Sequence, residues 1–314
     1  MGRNRVGPIA TLVMIAAAAW LTSMSPSAVQ NPSGGRGAEA APGRQGGAGR
    51  GGGLAGKAPD LLASVWTAPS TVSRTTLRHQ WVDVPMGSTR IHTWVEYPAA
   101  AGRAPVVLVL QDEQGLDDWT RAVADQLALE GFVAVAPDLY SGFGPNGGNY
   151  DSFGTPDEAM RIAGPRLTAA EATRRAVAVA AFAQRLPESS GAIGSIGFGT
   201  GGSLALRVAA DAPMVAAAVV FYGSAPDDAV LRRVNAPVNG FYGEDDDAVM
   251  STVPGTVATM RQLGKQFEVF RYMGATHSFL RYQVEGLNGA ATQDAWPRAT
   301  AFLKQQLRAA ERSR

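Results

Sequence analysis

The chain has 314 residues, of which 46% are hydrophobic and 18% charged, a composition typical of a globular protein with a large core. Residues 58–314 carry 22 basic and 26 acidic side chains, since six of the 28 Lys and Arg residues and one of the 27 acids precede them. The resulting net charge of −4 argues against nucleic acid as a partner. The absence of cysteine excludes disulfides, thiolate metal sites, lipidated cysteine and a thiol nucleophile.

The N-terminal segment 1–28 has the pattern of a secretory signal peptide. Arg3 and Arg5 precede an apolar run over residues 8–21, and small residues end the segment. An uncleaved membrane anchor is the alternative, but the run is shorter than the roughly 20 residues that span a bilayer as a helix. We therefore predict cleavage near Val29, a secreted or periplasmic protein, and no stable membrane insertion after cleavage.

Residues 29–57 are rich in Gly, Ala, Pro and Arg and show no apolar periodicity. Such a segment cannot bury enough apolar surface to offset its conformational entropy. We predict a disordered linker here, followed by one folded domain over residues 58–314.

The rest of the chain alternates short apolar runs with helical patterns. An antiparallel hairpin is predicted at 80–97, and the predicted strands are 105–111, 132–140, 214–223, 237–243 and 267–274. The predicted helices are 118–131, 168–186, 253–265 and 297–310, with a long loop at 141–159. The pattern of residues 191–210 predicts a strand, a sharp glycine turn and a helix. This order predicts a single α/β domain, a doubly wound and mostly parallel sheet with helices on both faces.

Four polar segments follow strands of this sheet, where the sites of such folds form, at 111–119, 197–202, 243–249 and 274–279. The order of a strand–turn–helix at 197–202, an acid at Asp246 and a histidine at His277 is the order of α/β-hydrolase triads. The acid would orient the histidine toward the turn. The alternatives are a surface histidine at 277 and, for residues 244–247, a solvated acidic loop or a weak calcium site.

From Gln80 to the final helix the chain resembles the dienelactone hydrolase family. The resemblance rests on the segments VVLVLQDEQGLDDWTRAVADQLALEGFVAVAPDLYSG, IGFGTGG, YGEDDDAV and YMGATHSF. It implies an α/β-hydrolase fold, a small-molecule ester or lactone as substrate, a Cys-His-Asp triad and no cofactor. Asp246 and His277 match the acid and the base of that triad.

Two departures from the family pattern fall on catalytic positions. The family's Gly-x-Cys-x-Gly-Gly turn reads Gly197-Phe198-Gly199-Thr200-Gly201-Gly202, so that Gly199 takes the nucleophile position without supplying a nucleophilic atom. The family's Glu-Ile-Phe/Tyr-Gly loop reads Asp112-Glu113-Gln114-Gly115. The resemblance therefore implies the family's site geometry with an altered mechanism.

The same turn also satisfies the dinucleotide fingerprint GxGxxG. That fingerprint needs an acid at the end of the next strand, but no acid follows until Asp227, and the turn lies in mid-chain. A nucleotide site is therefore the weaker interpretation.

Asp112 is the candidate to replace the missing group, either as a carboxylate nucleophile or by positioning a water that His277 activates. Ser195, inside a strand, is a weaker candidate, and Ser224, at the end of the neighbouring strand, could line the pocket or serve only as a turn residue. The candidate substrate-binding residues surround the turn and are Glu113, Thr200, Trp119, Tyr140 and Tyr222, with Phe143 and Phe153 from the long loop. Packing is the alternative for each aromatic residue, and Arg121 is expected to pair with Asp117 or Asp118. We predict no metal site.

Taken together, the sequence predicts an exported dienelactone hydrolase-like protein that hydrolyses a small carboxylic ester or lactone by an altered mechanism. The alternative is a catalytically inactive pseudo-hydrolase that binds a small carboxylate or ester ligand, or a protein partner. Fold alone does not separate these functions.

Overall fold

The computed structural model describes residues 62–313. The predicted signal peptide at 1–28 and the predicted linker at 29–57 lie outside the described residues. Within residues 62–313, no helix combines the length and the apolar character that crossing a bilayer requires.

Eight strands form one sheet in the order β1-β2-β4-β3-β5-β6-β7-β8. Their bounds are β1 His79–Met86, β2 Thr89–Glu96, β3 Ala104–Leu110, β4 Val133–Pro137, β5 Ser189–Phe198, β6 Val215–Phe221, β7 Val238–Gly243 and β8 Phe267–Tyr272. β1 pairs antiparallel with β2 and β2 with β4, and the other pairs are parallel. The predicted α/β class, with its antiparallel start, is confirmed.

The helices are α1 Ala68–Arg74, α2 Asp118–Leu129, α3 Pro156–Ala163, α4 Ala169–Ala183, α5 Thr200–Asp211, α6 Asp228–Arg233, α7 Asp247–Met250, α8 Val253–Gln262 and α9 Asn288–Arg312. Sequence patterns did not predict the short helices α1, α6 and α7. The predicted loop at 141–159 is also incomplete, because α3 begins inside it, where Thr155 caps the first turn by accepting from the Glu158 N–H.

Both faces of the sheet are covered, which explains the continuous apolar strands. In β3, Val106 and Leu108 belong to the core beneath α4 and α5, whereas Val107 and Val109 belong to the core beneath α2 and α9. Alternate residues of a strand point to opposite faces, so a strand covered on both faces must be apolar throughout.

Helix α9 begins nine residues before the predicted start at Pro297. Proline is common at the first turn of a helix, so the sequence favoured a start there. The additional turns are stabilised by buried Thr292, whose hydroxyl donates to the Asn288 carbonyl, and by buried Trp296. Tertiary packing therefore extends the helix through a residue that removes one of its hydrogen bonds.

Candidate active site

The strand–turn–helix predicted at 191–210 is β5, Gly199 and α5. Gly199 has φ 52° and ψ −117°, a backbone conformation that side chains rarely adopt. Its N–H donates to the Phe221 carbonyl at 3.0 Å, which ties the turn to the end of β6. This sharp connection at the carboxyl edge of the sheet has the geometry of a nucleophile elbow.

The neighbouring glycines allow β5, α5 and the adjacent strand ends to approach closely. A Cβ added at Gly197 would lie 1.9 Å from the Gly201 carbonyl oxygen. One added at Gly201 would lie 2.2 Å from the Leu110 carbonyl oxygen. Both contacts are with backbone, which cannot move aside. The turn therefore requires glycine at these positions whatever residue stands at its tip.

Asp246 and His277 come together at the same edge of the sheet. Asp246 follows β7, is 8% exposed and caps α7 through the Val249 N–H. His277 lies in the loop after β8, and its Nδ1 donates to Asp246 Oδ2 at 2.5 Å. This contact leaves Nε2 of the histidine free to act as a base or an acid.

Buried Asn288, at the start of α9, holds the histidine loop in place. Its Oδ1 accepts from the Thr276 N–H at 2.9 Å, and its Nδ2 donates to the Tyr282 carbonyl at 2.9 Å. The sequence analysis did not identify Asn288, because its contacts with the loop exist only once α9 packs against it.

His277 and Glu113 converge on the tip of the turn. A Cβ built at position 199 would lie 3.8 Å from His277 Nε2 and 3.0 Å from Glu113 Oε2. Tyr140 fixes the Glu113 backbone, because its hydroxyl donates to the Glu113 carbonyl at 2.6 Å. The place where the resemblance implies a thiol is therefore faced by an oriented imidazole and a carboxylate.

Asp112 belongs to a buried charge cluster next to the turn. Its Oδ2 accepts from Arg281 Nε at 3.0 Å, and its Oδ1 accepts from the Gln114 N–H at 3.0 Å. Arg281 is fully buried, pairs also with Asp117 at 2.6 Å and lies over the Trp119 ring at 4.4 Å. Burial raises the pKa of Asp112 to about 6, and the Arg281 charge opposes that shift.

A cavity of about 500 Å³ adjoins the turn. At the turn it is bounded by Glu113 and Thr200, and farther along α5 by Arg207. Its other wall comes from the segment between β4 and α4, which contributes Tyr140 and Leu167. A small organic molecule in this cavity would therefore contact Glu113 and Thr200, beside the tip of the turn.

Residues 91–307, more than half of the chain, match the model of the "Dienelactone hydrolase family". The chain belongs to the dienelactone hydrolase family. The predicted family is thereby confirmed, and its α/β-hydrolase fold agrees with the observed strand order.

Relatives of the dienelactone hydrolase family cover most of the chain. A Synechocystis protein described as "Putative carboxymethylenebutenolidase" is 28% identical over 241 residues, which are 72% of this chain and 96% of that protein. A Bradyrhizobium protein described as "Probable 2-oxo-3-(5-oxofuran-2-ylidene)propanoate lactonase" is 27% identical over 250 residues, 74% of this chain and 96% of that protein. The structure of a "Putative Dienelactone Hydrolase" from Klebsiella pneumoniae superposes with a TM-score of 0.66 at 24% identity, covering 74% of this chain and 100% of that one.

The structure separates the predicted site residues of this family member into two groups. Glu113, Thr200 and Tyr140 line the cavity, and so does Asp112. Trp119 is fully buried and instead supports Arg281 and packs on Phe198, so it does not border the cavity. Asp112 accepts from Arg281 through Oδ2 and from the Gln114 N–H through Oδ1, and its role as a nucleophile or a water-positioning group stays a prediction.

Tyr222 lies behind the site rather than in the cavity. It has φ 42°, its ring centroid is 5.2 Å from that of His277, and its hydroxyl has no hydrogen-bond partner among the described residues. Burial raises the pKa of this phenol well above its usual range. Tyr222 therefore supports the imidazole by packing and stays protonated.

The remaining candidates are not among the described residues that line the cavity. Phe153 packs with Tyr140 in a small core, and Phe143 stacks beneath Arg175. Ser195 is enclosed within β5, the Ser224 carbonyl accepts from the Ser203 hydroxyl, and Arg121 pairs with Asp118. These aromatic and arginine residues follow the packing interpretation.

Neither alternative site gains support from the geometry. Asp227, the first acid after β6, caps α6 through the Val230 N–H, so no carboxylate ends that strand. Over residues 62–313, no group of three or more His, Asp or Glu side chains is arranged to hold a metal ion.

Proposed function

We propose that this protein hydrolyses a small carboxylic ester or lactone with water, rather than a side chain at position 199, as the nucleophile. The observation that carries the proposal is the convergence of His277 Nε2 and Glu113 Oε2 on the tip of the turn. Glycine leaves room there for the attacking oxygen. The proposal gives the family's hydrolytic chemistry a route that needs no acyl-enzyme.

His277 is the general base of this route. Its Nδ1 is held by Asp246 at 2.5 Å, so Nε2 accepts a proton from the water as its oxygen attacks the carbonyl carbon. Asp246 stabilises the imidazolium that forms. The Glu113 carboxylate accepts a hydrogen bond from the second proton of the water and orients it.

Two backbone N–H groups are available for the oxyanion. Thr200 is the first residue of α5, so its N–H has no acceptor within the helix and lies at the positive end of the helix dipole. The Glu113 N–H donates to no acceptor among residues 62–313. N–H groups at these two positions are the usual oxyanion donors of α/β-hydrolases.

The second half of the reaction returns the proton. The tetrahedral intermediate collapses, the bond between the carbonyl carbon and the ester oxygen breaks, and the His277 imidazolium protonates the leaving oxygen. The products are a carboxylic acid and an alcohol, or one hydroxy acid when the substrate is a lactone. The relative from Bradyrhizobium carries a lactonase name, which supports lactones as a substrate class.

A binding protein without turnover is the second candidate, and one observation favours it. The Glu113 carboxylate lies beside the reacting position, where its negative charge would oppose a developing oxyanion. In that case the cavity would hold a small carboxylate or ester without cleaving it.

Hydrolysis of p-nitrophenyl acetate by the full chain separates the two candidates. We expect turnover above the uncatalysed rate with no initial burst, and a loss of about 100-fold or more in His277→Ala. His79→Ala, which changes an exposed histidine on β1, is the matched control and should keep wild-type turnover. Equal rates for wild type and His277→Ala would contradict the hydrolase proposal and leave the binding function.

We also propose that the protein is exported, because of the signal-peptide pattern in residues 1–28. N-terminal sequencing of protein from the native host should begin near Val29. A mature protein that retains Met1 would contradict export by cleavage.

A further inference from the structure

The cavity beside the turn runs along one face of α5. Thr200, Leu204 and Arg207 line it and are spaced at i, i+4 and i+7, which places them on one side of the helix. Seven residues correspond to about 10 Å along a helix axis. A ligand whose carbonyl lies at the Thr200 N–H would therefore reach Arg207 only through a chain of several atoms.

Arg207 is half-buried and has no hydrogen-bond or ion-pair partner among residues 62–313. It is also the one cationic side chain among the described residues that line the cavity. A guanidinium that faces a cavity without a carboxylate partner is suited to bind an anionic ligand, often through two parallel hydrogen bonds.

Arg281, the other arginine near the turn, is different. It is fully buried, and both Asp112 and Asp117 compensate its charge. It is therefore not free to bind an additional anion without losing one of these contacts. Of the two arginines, Arg207 is the one that a ligand in the cavity can pair with.

Between its two ends the cavity is largely apolar. Its apolar lining includes Leu139, Leu167, Ala172 and Leu204. Unlike a polar chain, an aliphatic one can be buried there without loss of hydrogen bonds to water.

We propose that Arg207 binds a carboxylate at the far end of the substrate, which makes the preferred substrates esters or lactones whose carboxylate is separated from the reacting carbonyl by an apolar chain. This inference rests on the proposed function for its reaction, but the binding it describes does not require turnover. It adds a specificity-determining residue and a substrate length to the hydrolase.

The charges of the cavity would also set the direction of binding. Glu113 and Asp112, the latter paired with Arg281, line the cavity near the turn, and Arg207 lines it two helical turns along α5. A substrate carboxylate is repelled by Glu113 and attracted by Arg207, so the substrate binds with its neutral carbonyl toward the turn.

The test compares octanoate with its neutral isostere octanamide by calorimetric titration of the full chain. We expect octanoate to bind about 10- to 100-fold more tightly, the range for a charge-assisted hydrogen bond in a partly buried site. Arg207→Met should remove this preference, whereas Arg207→Lys should keep part of it because the charge remains without the planar fork. Arg232→Met, which changes an exposed arginine on the nearby α6, should keep the wild-type preference.

Equal affinities of the wild type for octanoate and octanamide would overturn the proposal, and that comparison needs no variant. An unchanged preference in a folded Arg207→Met protein would overturn it too. An octanoate preference that depends on Arg207 in a protein without esterase activity would support this inference and contradict the hydrolase function. Esterase activity without an octanoate preference would support the hydrolase function and contradict this inference.

Discussion

The two halves of the candidate site differ in whether side chains or the backbone form them. In the half formed by Asp246 and His277, two side chains and the hydrogen bond between them make up the arrangement. In the half formed by the turn, the backbone carries it, and Gly199 keeps the elbow conformation without supplying a side chain. The elbow conformation therefore does not depend on a side chain at position 199, because backbone contacts on both sides of the tip maintain it.

The turn half is also where the charges differ from the family pattern. Glu113 faces the tip of the turn, and Asp112 is engaged with Arg281 rather than with a thiol. The acid–histidine half retains the family's residues. The comparison predicts that changes in the two halves have distinguishable effects on activity and stability.

The largest effect is expected from introducing a nucleophile at the tip of the turn. Gly199→Cys places a thiol close to His277, because the Cβ would lie 3.8 Å from Nε2. We expect kcat/KM for p-nitrophenyl acetate to rise by about 100- to 10,000-fold, with a burst from an acyl-enzyme. Stopped-flow release of p-nitrophenol measures both.

Two further variants check the origin of that gain. The double variant Gly199→Cys/His277→Ala should lose the burst, since the thiolate needs its imidazole partner. Adding Glu113→Ile to Gly199→Cys should increase the gain, because Glu113 Oε2 lies only 3.0 Å from the new Cβ. A folded Gly199→Cys protein with an unreactive thiol would refute the elbow assignment.

A change in the acid–histidine half should reduce activity, by a factor smaller than the largest gain expected for Gly199→Cys. Asp246→Asn keeps the side-chain shape but favours the wrong tautomer of His277, so we expect kcat to fall by about 100-fold or more. Asp247→Asn, one residue along and exposed, is the matched control. Comparable losses in both variants would mean that general loop charge, rather than the contact with His277, matters.

The third test concerns the backbone contacts that maintain the turn. Gly201→Ala places a Cβ 2.2 Å from the Leu110 carbonyl oxygen, and we expect the free energy of unfolding to fall by about 3 kcal/mol or more. Gly255→Ala, in α8 with no atom within 4 Å of the added Cβ, should raise it by about 0.5–1 kcal/mol. Urea denaturation measures both, and equal effects would show that crowding at the turn is not limiting.

The smallest effect is expected from a buried acid outside the site. Asp112 is buried beside the cation Arg281, whereas Glu96 is buried near another acid, Asp125. Burial raises the pKa of Glu96 from 4.5 to about 8. The folded protein then keeps a proton that the unfolded chain loses near pH 4.5, so the free energy of unfolding falls as the pH rises from 4.5 to 8.

Replacing this carboxyl isolates its contribution. Glu96→Gln keeps an acceptor for Trp94 Nε1, which donates to Glu96 Oε2 at 3.0 Å, but does not titrate. We expect the decline in stability over this pH range to shrink by about 2 kcal/mol, measured by urea denaturation at several pH values. A decline of unchanged size would assign it to other groups.

Most of the strands, the long helices and the acid–histidine pair were predictable from sequence. Continuous apolar runs identify strands buried on both faces, and Asp246 and His277 stand in the usual order after their strands. Arg281 and Asn288 were not predicted, although Arg281 follows His277 by only four residues. Arginine is usually exposed, and nothing local indicates that Asp112 and Asp117 will enclose this one.

The sequence by itself determined the α/β class, the family and the glycine at the tip of the turn, because these depend on local patterns and residue identity. Tertiary structure alone decided that Glu113 faces the tip of the turn, that Asp112 pairs with Arg281, and that Arg207 lines the cavity. Each of these contacts joins segments far apart in the chain. Their distances follow from how the sheet and its helices pack, which no short stretch of sequence encodes.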